Sequence, residues 1–246
     1  MIHRGTGHIP DPPSSDDWLA SAMLPRTGDP PRQSNGCRAM LAPVDDQYER
    51  GRCVGEAISG AISVFHSRQR PCVDAIWLMG RMPDGLTGNS GCYPRTAFDE
   101  VRKRGFTFDD WEMPEGVYDD LPPPDLFGNA LGAVLKCWRI TSEGYQRRVE
   151  VRRALSFGYP VCMAFKVDST FKQLYGDVTW YGPGDRESSS HYMVACAYDP
   201  LAFIVQNSWG VDHGANGFCR IDCEVVDNPA WCGDIWVVTA AHLRGA

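Results

Sequence analysis

Cys53 stands at the head of an apolar helical repeat. Val54, Ala57, Ile58, Ala61, Ile62 and Phe65 follow on one face of a helix predicted over 53–68. A thiol at a helix N-terminus faces unpaired N–H groups and the positive end of the macrodipole. Both favour the thiolate, which is the nucleophilic form of cysteine. Such a nucleophile needs a base, and His191 is the candidate from the far half of the chain. The base needs an acceptor that holds its ring in one orientation. Asn207 offers an amide oxygen, in the block Asn207–Ser208–Trp209–Gly210. Gln47, six residues before Cys53, carries an amide N–H. With the Cys53 backbone N–H it makes a two-donor pocket for a developing oxyanion. This set of residue types is suited to acyl transfer through a thioester.

The elements that must bring these residues together are legible as patterns. The stretch 191–210 reads as two strands joined by a tight turn, which sets His191 and Asn207 side by side under Trp209. The helix over 53–68 contains Gly55 and Gly60, which lower helix propensity but allow close approach to a neighbour. A second helix is predicted over 93–105, with Pro94 near its start and Gly105 as its stop. A polar, proline-broken segment over 109–125 marks a boundary between halves. Strands are expected over 133–140, 161–167, 193–198, 203–207, 217–221 and 234–238, with a helix over 145–158. A helical half preceding a sheet-rich half is an α+β pattern rather than a βαβ repeat.

A chain of 246 residues can bury a substantial core. The net charge of −7, with no basic stripe, argues against a nucleic-acid partner. No apolar run reaches the ~18–20 residues of a membrane helix, and the N-terminus has no apolar core of the secretory kind. A cytoplasmic location is therefore expected, with the ten cysteines reduced and buried as small apolar residues. Residues 1–44 are rich in proline, glycine and aspartate and read as an extended belt over a folded body.

The ordered blocks resemble the papain-type cysteine peptidases of the bacterial and viral branch. Gln47 and Cys53 have that family's spacing, with Gly51 two before the cysteine. His191, a strand, and then Asn207–Gly210 match its histidine and Asn-Ser-Trp-Gly blocks. "GANGFCRI" resembles the strand that follows. "GCYPRTAFDEVRKRG" resembles the substrate-binding glycine stretch and its helix, and "ALSFGYPVCMAFKVDSTF" the passage ahead of the histidine. "GHIPDPP" looks like the leader of many bacterial members. The resemblance implies a two-lobe papain-like fold. It has a belt over 1–44, a helical left lobe over 45–125, and a β-barrel-like right lobe over 126–246, with the active cleft between the lobes. It implies peptide hydrolysis by Cys53 and His191, resting as a thiolate–imidazolium pair, with Asn207 and Gln47 in support. Gly91, Cys92 and Trp209 are the implied substrate-binding residues. Neither cofactor nor metal is expected, the partner is a protein or peptide substrate, and the chain is expected to be a monomer without membrane attachment.

The departures carry information too. Arg52 and Val54 replace the family's usual serine and tryptophan beside the nucleophile. Ser190 precedes the histidine where glycine is common, and His213 stands where a second tryptophan is frequent. Cys92 takes the place of a glycine whose backbone pairs with substrate, and its side chain would narrow the cleft. The long helical propeptide has no counterpart, so the belt is the one candidate leader, expected along the back or rim of the body.

Other readings fit less well. Cys219, Cys223, Cys232 and His213 have no common zinc spacing. His66 is expected to favour the C-terminal end of its helix. His3, His8 and His242, near the termini, need no role. A transglutaminase would orient its histidine with aspartate rather than asparagine. A peptide ligase differs in whether amine or water takes the acyl group. A non-catalytic module on the same scaffold would be expected to have lost the cysteine or the histidine.

Overall fold

The computed structural model describes residues 4–25, 28–119, 133–185 and 188–243. In chain order the elements are α1 (Ala20–Met23), α2 (Cys53–Ser63), α3 (Val73–Arg81), α4 (Pro94–Arg104), β1 (Ala133–Ile140), α5 (Gly144–Ser156), β2 (Val161–Val167), α6 (Ser169–Lys172), β3 (Thr179–Trp180), β4 (Ser189–Tyr198), β5 (Ala202–Gln206), β6 (Phe218–Asp222), α7 (Cys223–Asp227) and β7 (Cys232–Leu243). The architecture is α+β, as the pattern predicts. The boundary segment expected over 109–125 lies partly outside the described residues.

One seven-stranded sheet runs in the order β1-β7-β2-β4-β5-β6-β3. All neighbours are antiparallel except β3 and β6. Among the described residues the first and last strands of this order do not pair, so the sheet is not closed into the barrel-like form implied by the resemblance. Strand alternation sorts the core into two layers. On β2, Cys162 and Ala164 join the layer under α2, α3 and α4. Val161, Met163, Phe165 and Val167 face the opposite layer, with α5, α6 and α7. With both faces covered, the central strands read as continuous apolar runs.

Helix α2 is buried along its whole length. Its glycines act as expected. A Cβ on Gly55 would stand 2.9 Å from the Val73 carbonyl oxygen and 3.2 Å from Trp77 Cβ, and one on Gly60 would stand 3.3 Å from Val194 Cγ1. The helix therefore lies close against both α3 and β4. It stops at Ser63 rather than near residue 68, because Ser67 and Arg68 take left-handed conformations at φ 51° and 69°. His66, beyond that end, bonds the Ala241 carbonyl through Nε2 at 2.9 Å.

Part of the belt enters the cleft. Residues 4–11 pass the N-terminal end of α2, between the loop ahead of it and strands β4 and β7. Gly5 donates to the Tyr48 carbonyl, and Cys92 is bracketed by the Gly7 carbonyl at 2.9 Å and the Ile9 N–H at 3.2 Å, in a parallel bridge centred on His8. Glycine is required here. A Cβ on Gly5 would overlap the Arg50 carbonyl, one on Gly7 would overlap the Gly51 carbonyl, and one on Gly91 would overlap Gly7. All ten cysteines are free and buried.

Candidate active site

Cys53 is the first residue of α2, with no exposed surface. Its Sγ accepts a hydrogen bond from the Gly7 N–H at 3.2 Å, and the N–H groups of Tyr192 and Val54 also favour its ionised form. Burial outweighs them and pushes the thiol up to about 11.

His191 is the third residue of β4, opposite Phe165 on β2. Its ring stacks on Trp209 at a centroid distance of 4.5 Å and 21°. Nε2 lies 2.7 Å from Asn207 Oδ1, which also accepts the Ser208 N–H at 2.8 Å. Burial pulls the imidazole down to about 3, against the opposing effect of the Asn207 bond. In this closed arrangement burial works against the charged form of each partner.

A chain of hydrogen bonds fixes the tautomer. His213 Nε2 is 2.9 Å from the Phe171 carbonyl, which accepts, so that nitrogen carries the proton. His213 Nδ1 is then bare and accepts from Asn207 Nδ2 at 3.0 Å. The Asn207 oxygen must therefore face His191, and His191 Nε2 donates to it. This leaves a lone pair on His191 Nδ1. That atom is buried and has no hydrogen-bond partner among the described residues, so the ring and the Cys53 sulfur are not hydrogen-bonded here.

Gln47 reaches the same place from the loop ahead of α2. Its Oε1 accepts from Ser208 Oγ at 2.5 Å, and its Nε2 donates to Arg50 O at 2.6 Å and Gly5 O at 3.0 Å. Trp209 Nε1 donates to the same Gly5 oxygen at 3.1 Å. A carbonyl of the belt thus sits on the amide donor, while a belt N–H sits on the sulfur. Cys92 does not narrow the cleft with its side chain. The side chain is fully buried, with Sγ against Gly80, and the residue meets the belt through its backbone.

Sequence reasoning passed over two histidines. His213 appeared as a departure, yet it orients Asn207. The signal was an imidazole six residues past the asparagine, in a glycine-rich turn. His8 was given no role, yet it is buried in the cleft with both ring nitrogens engaged, to Ser190 Oγ at 2.6 Å and Asp234 Oδ2 at 2.8 Å. The alternating glycines of "RGTGH" were the available sign that this stretch packs extended against other backbone. Among the described residues no group of three or more His, Cys, Asp or Glu is placed to hold a metal ion, and no helix is long and apolar enough to cross a membrane.

The sequence model of the papain family cysteine proteases matches residues 83–235, more than half of the chain; it covers His191 and Asn207 and begins after Cys53. The uncharacterized peptidase C1-like protein L477 of Acanthamoeba polyphaga mimivirus is 27% identical over 218 residues, covering 78% of this chain and 68% of that protein. The crystal structure of xylellain, a cysteine protease from Xylella fastidiosa, covers 97% of both chains with a TM-score of 0.72 at 22% identity. The Carica candamarcensis cysteine protease CMS1MS2, in complex with E-64, aligns over 78% of this chain and 89% of its own, with a TM-score of 0.56 at 19% identity. These structures share the papain-like fold, and the family's sequence pattern runs through the strands around His191 and Asn207; on that ground the chain belongs to the papain family of cysteine proteases.

Proposed function

We propose that the chain hydrolyses peptide bonds through a thioester on Cys53. His191 serves as base and then acid, Asn207 holds its ring, and Gln47 with the Cys53 backbone N–H stabilises the oxyanion. The observation that carries this reading is the bare Nδ1 of His191, since buried acceptors without partners are rare and call for an explanation. A proton acceptor beside an activated thiol is one.

The sequence of events follows from the donors and acceptors. The thiol proton passes to His191 Nδ1 as sulfur adds to the substrate carbonyl. The oxyanion rests on Gln47 Nε2 and the Cys53 N–H. The C–N bond then breaks, and the Nδ1 proton goes to the leaving amine. Water adds to the thioester and gives a proton to the same nitrogen; the acid product leaves and the thiol is restored.

Residues 4–11 hold this machinery shut. Gly5 O occupies the Gln47 donor, and Gly7 offers the sulfur an amide hydrogen rather than a carbonyl carbon. The segment binds without presenting a bond to attack. Releasing it readmits water, which favours the charged thiolate–imidazolium pair. Cys53→Ala should abolish turnover of an unfolded protein substrate and labelling by a thiol-reactive epoxide; full activity in that variant refutes the assignment.

A further inference from the structure

We infer that the cleft contains a subsite built for an imidazole side chain, and that a peptide substrate is selected by a histidine at the residue that pairs with Cys92. The inference rests on the reading of the chain as a peptidase, and it comes from how His8 is held. The His8 ring lies parallel to Tyr192, 4° between planes and 5.4 Å between centroids. Its two nitrogens meet partners on opposite edges, Ser190 Oγ at Nδ1 and Asp234 Oδ2 at Nε2. The side chain keeps 3% of its surface exposed, so the subsite encloses its occupant.

Tyr192 and Asp234 are held by partners other than His8. Tyr192 Oη donates to the Asp234 carbonyl at 3.0 Å. Arg139 Nη2 grips Asp234 Oδ1 at 2.5 Å, which leaves Oδ2 to accept both the Asp11 N–H at 2.8 Å and the ring. Asp234 sits at φ 41°, a strained conformation for a residue with a side chain, so its direction is set by the fold. Ser190 and Tyr192 alternate with His191 on β4, which puts the reading residues and the catalytic ring on opposite faces of one strand.

A flat ring with two nitrogens in a 1,3 relation satisfies both partners at once. A lysine ammonium can meet one of them without stacking on Tyr192. A guanidinium is flat but stands on a longer stem than this enclosed space admits.

His8→Ala in the full chain should open a cavity of imidazole shape. By NMR titration 4-methylimidazole should bind this variant saturably, at least tenfold more tightly than methylguanidinium or butylamine, and the binding should vanish in His8→Ala/Asp234→Ala. Equal binding of the three probes, no binding, or binding unaffected by Asp234→Ala overturns the inference. A second arm uses the full chain carrying Gly7→Val and peptides varied in turn at the three residues before the scissile bond. Histidine should exceed alanine at least tenfold in kcat/KM at one position, and Asp234→Asn should reduce that ratio. Cleavage with no preference for histidine contradicts the inference. Absence of any cleavage counts against the peptidase reading instead, and the binding arm still decides the subsite.

Discussion

The amide N–H of Gly7 donates to the sulfur of Cys53 across 3.2 Å. The thiol is therefore engaged by the chain's own N-terminal segment. Gly7 has no Cβ, and none would fit, because the Gly51 carbonyl occupies that space. Gly7→Val should expel the segment while leaving every catalytic side chain in place. The rate of epoxide labelling at Cys53 should rise at least tenfold over the unaltered chain. An unchanged rate would show that the segment does not restrain the thiol.

The same contact predicts a pH profile. Burial holds the closed-form thiol at about 11. Below that value the thiolate fraction grows tenfold per pH unit, and alkylation of Cys53 by iodoacetamide should grow with it. In Gly7→Val, where water reaches the site, the rate should level off at a markedly lower pH. Peptide mapping by mass spectrometry separates Cys53 from the other nine cysteines. Coincident profiles would contradict the role given to burial.

His213 fixes which way Asn207 points. Without its bare Nδ1, the asparagine amide keeps only the Ser208 N–H to hold its oxygen toward His191. His213→Leu should lower kcat about fivefold with less change in KM, on the scale of one hydrogen bond of ~1 kcal/mol. Glutamine can accept from Asn207 Nδ2, so His213→Gln should retain more of the rate. Equal losses in the two variants would indicate a packing role instead.

A buried ionic network supports the loop that carries Gln47 and Cys53. Asp74 binds Arg52 through Oδ1 and Arg50 through Oδ2, each at 2.8 Å, and accepts the Met113 N–H. Arg52 and Asp74 are both almost fully buried. Asp74→Ala would take one of two buried carboxylates from the Arg52 guanidinium, which keeps Glu56 Oε1 at 3.1 Å, and would remove the carboxylate that holds Arg50; the cost expected is about 3 kcal/mol, the low end for breaking a buried pair. Urea unfolding should register a loss of that size; a loss under ~1 kcal/mol would mean that water reaches the network.

The sequence announced some of these features and concealed others, for physical reasons. The strand over 161–167 has clear bounds because an apolar run ends at turn residues, and the strand over 133–140 shows itself by alternating buried and exposed residues. Cys53, His191, Asn207 and Gln47 stand out by side-chain chemistry and spacing, and the structure joins His191 to Asn207 and sets Gln47 and Cys53 against residues 5–7. Helix α3 is absent from the pattern reading, and at nine residues it is too short to repeat its period more than twice. Its cap is the thiol of Cys72, which accepts the Ala75 N–H, rather than a serine or aspartate. β7 proved longer than 234–238, because Thr239 and His242 interrupt its apolar pattern while the ladder with β1 continues. The path of the belt was hidden for another reason. Proline and glycine mark a segment as extended, but backbone hydrogen bonds such as those to Cys92 leave no trace in residue types.

The central claim is that Cys53 is the nucleophile and His191 its base. Mass spectrometry of the full chain and of Gly7→Val after treatment with an epoxide probe tests it most directly. One adduct, located on Cys53, faster to form in Gly7→Val and lost in His191→Ala, is the predicted result. An adduct on a different cysteine, or labelling of Cys53 that survives His191→Ala at full rate, would contradict it.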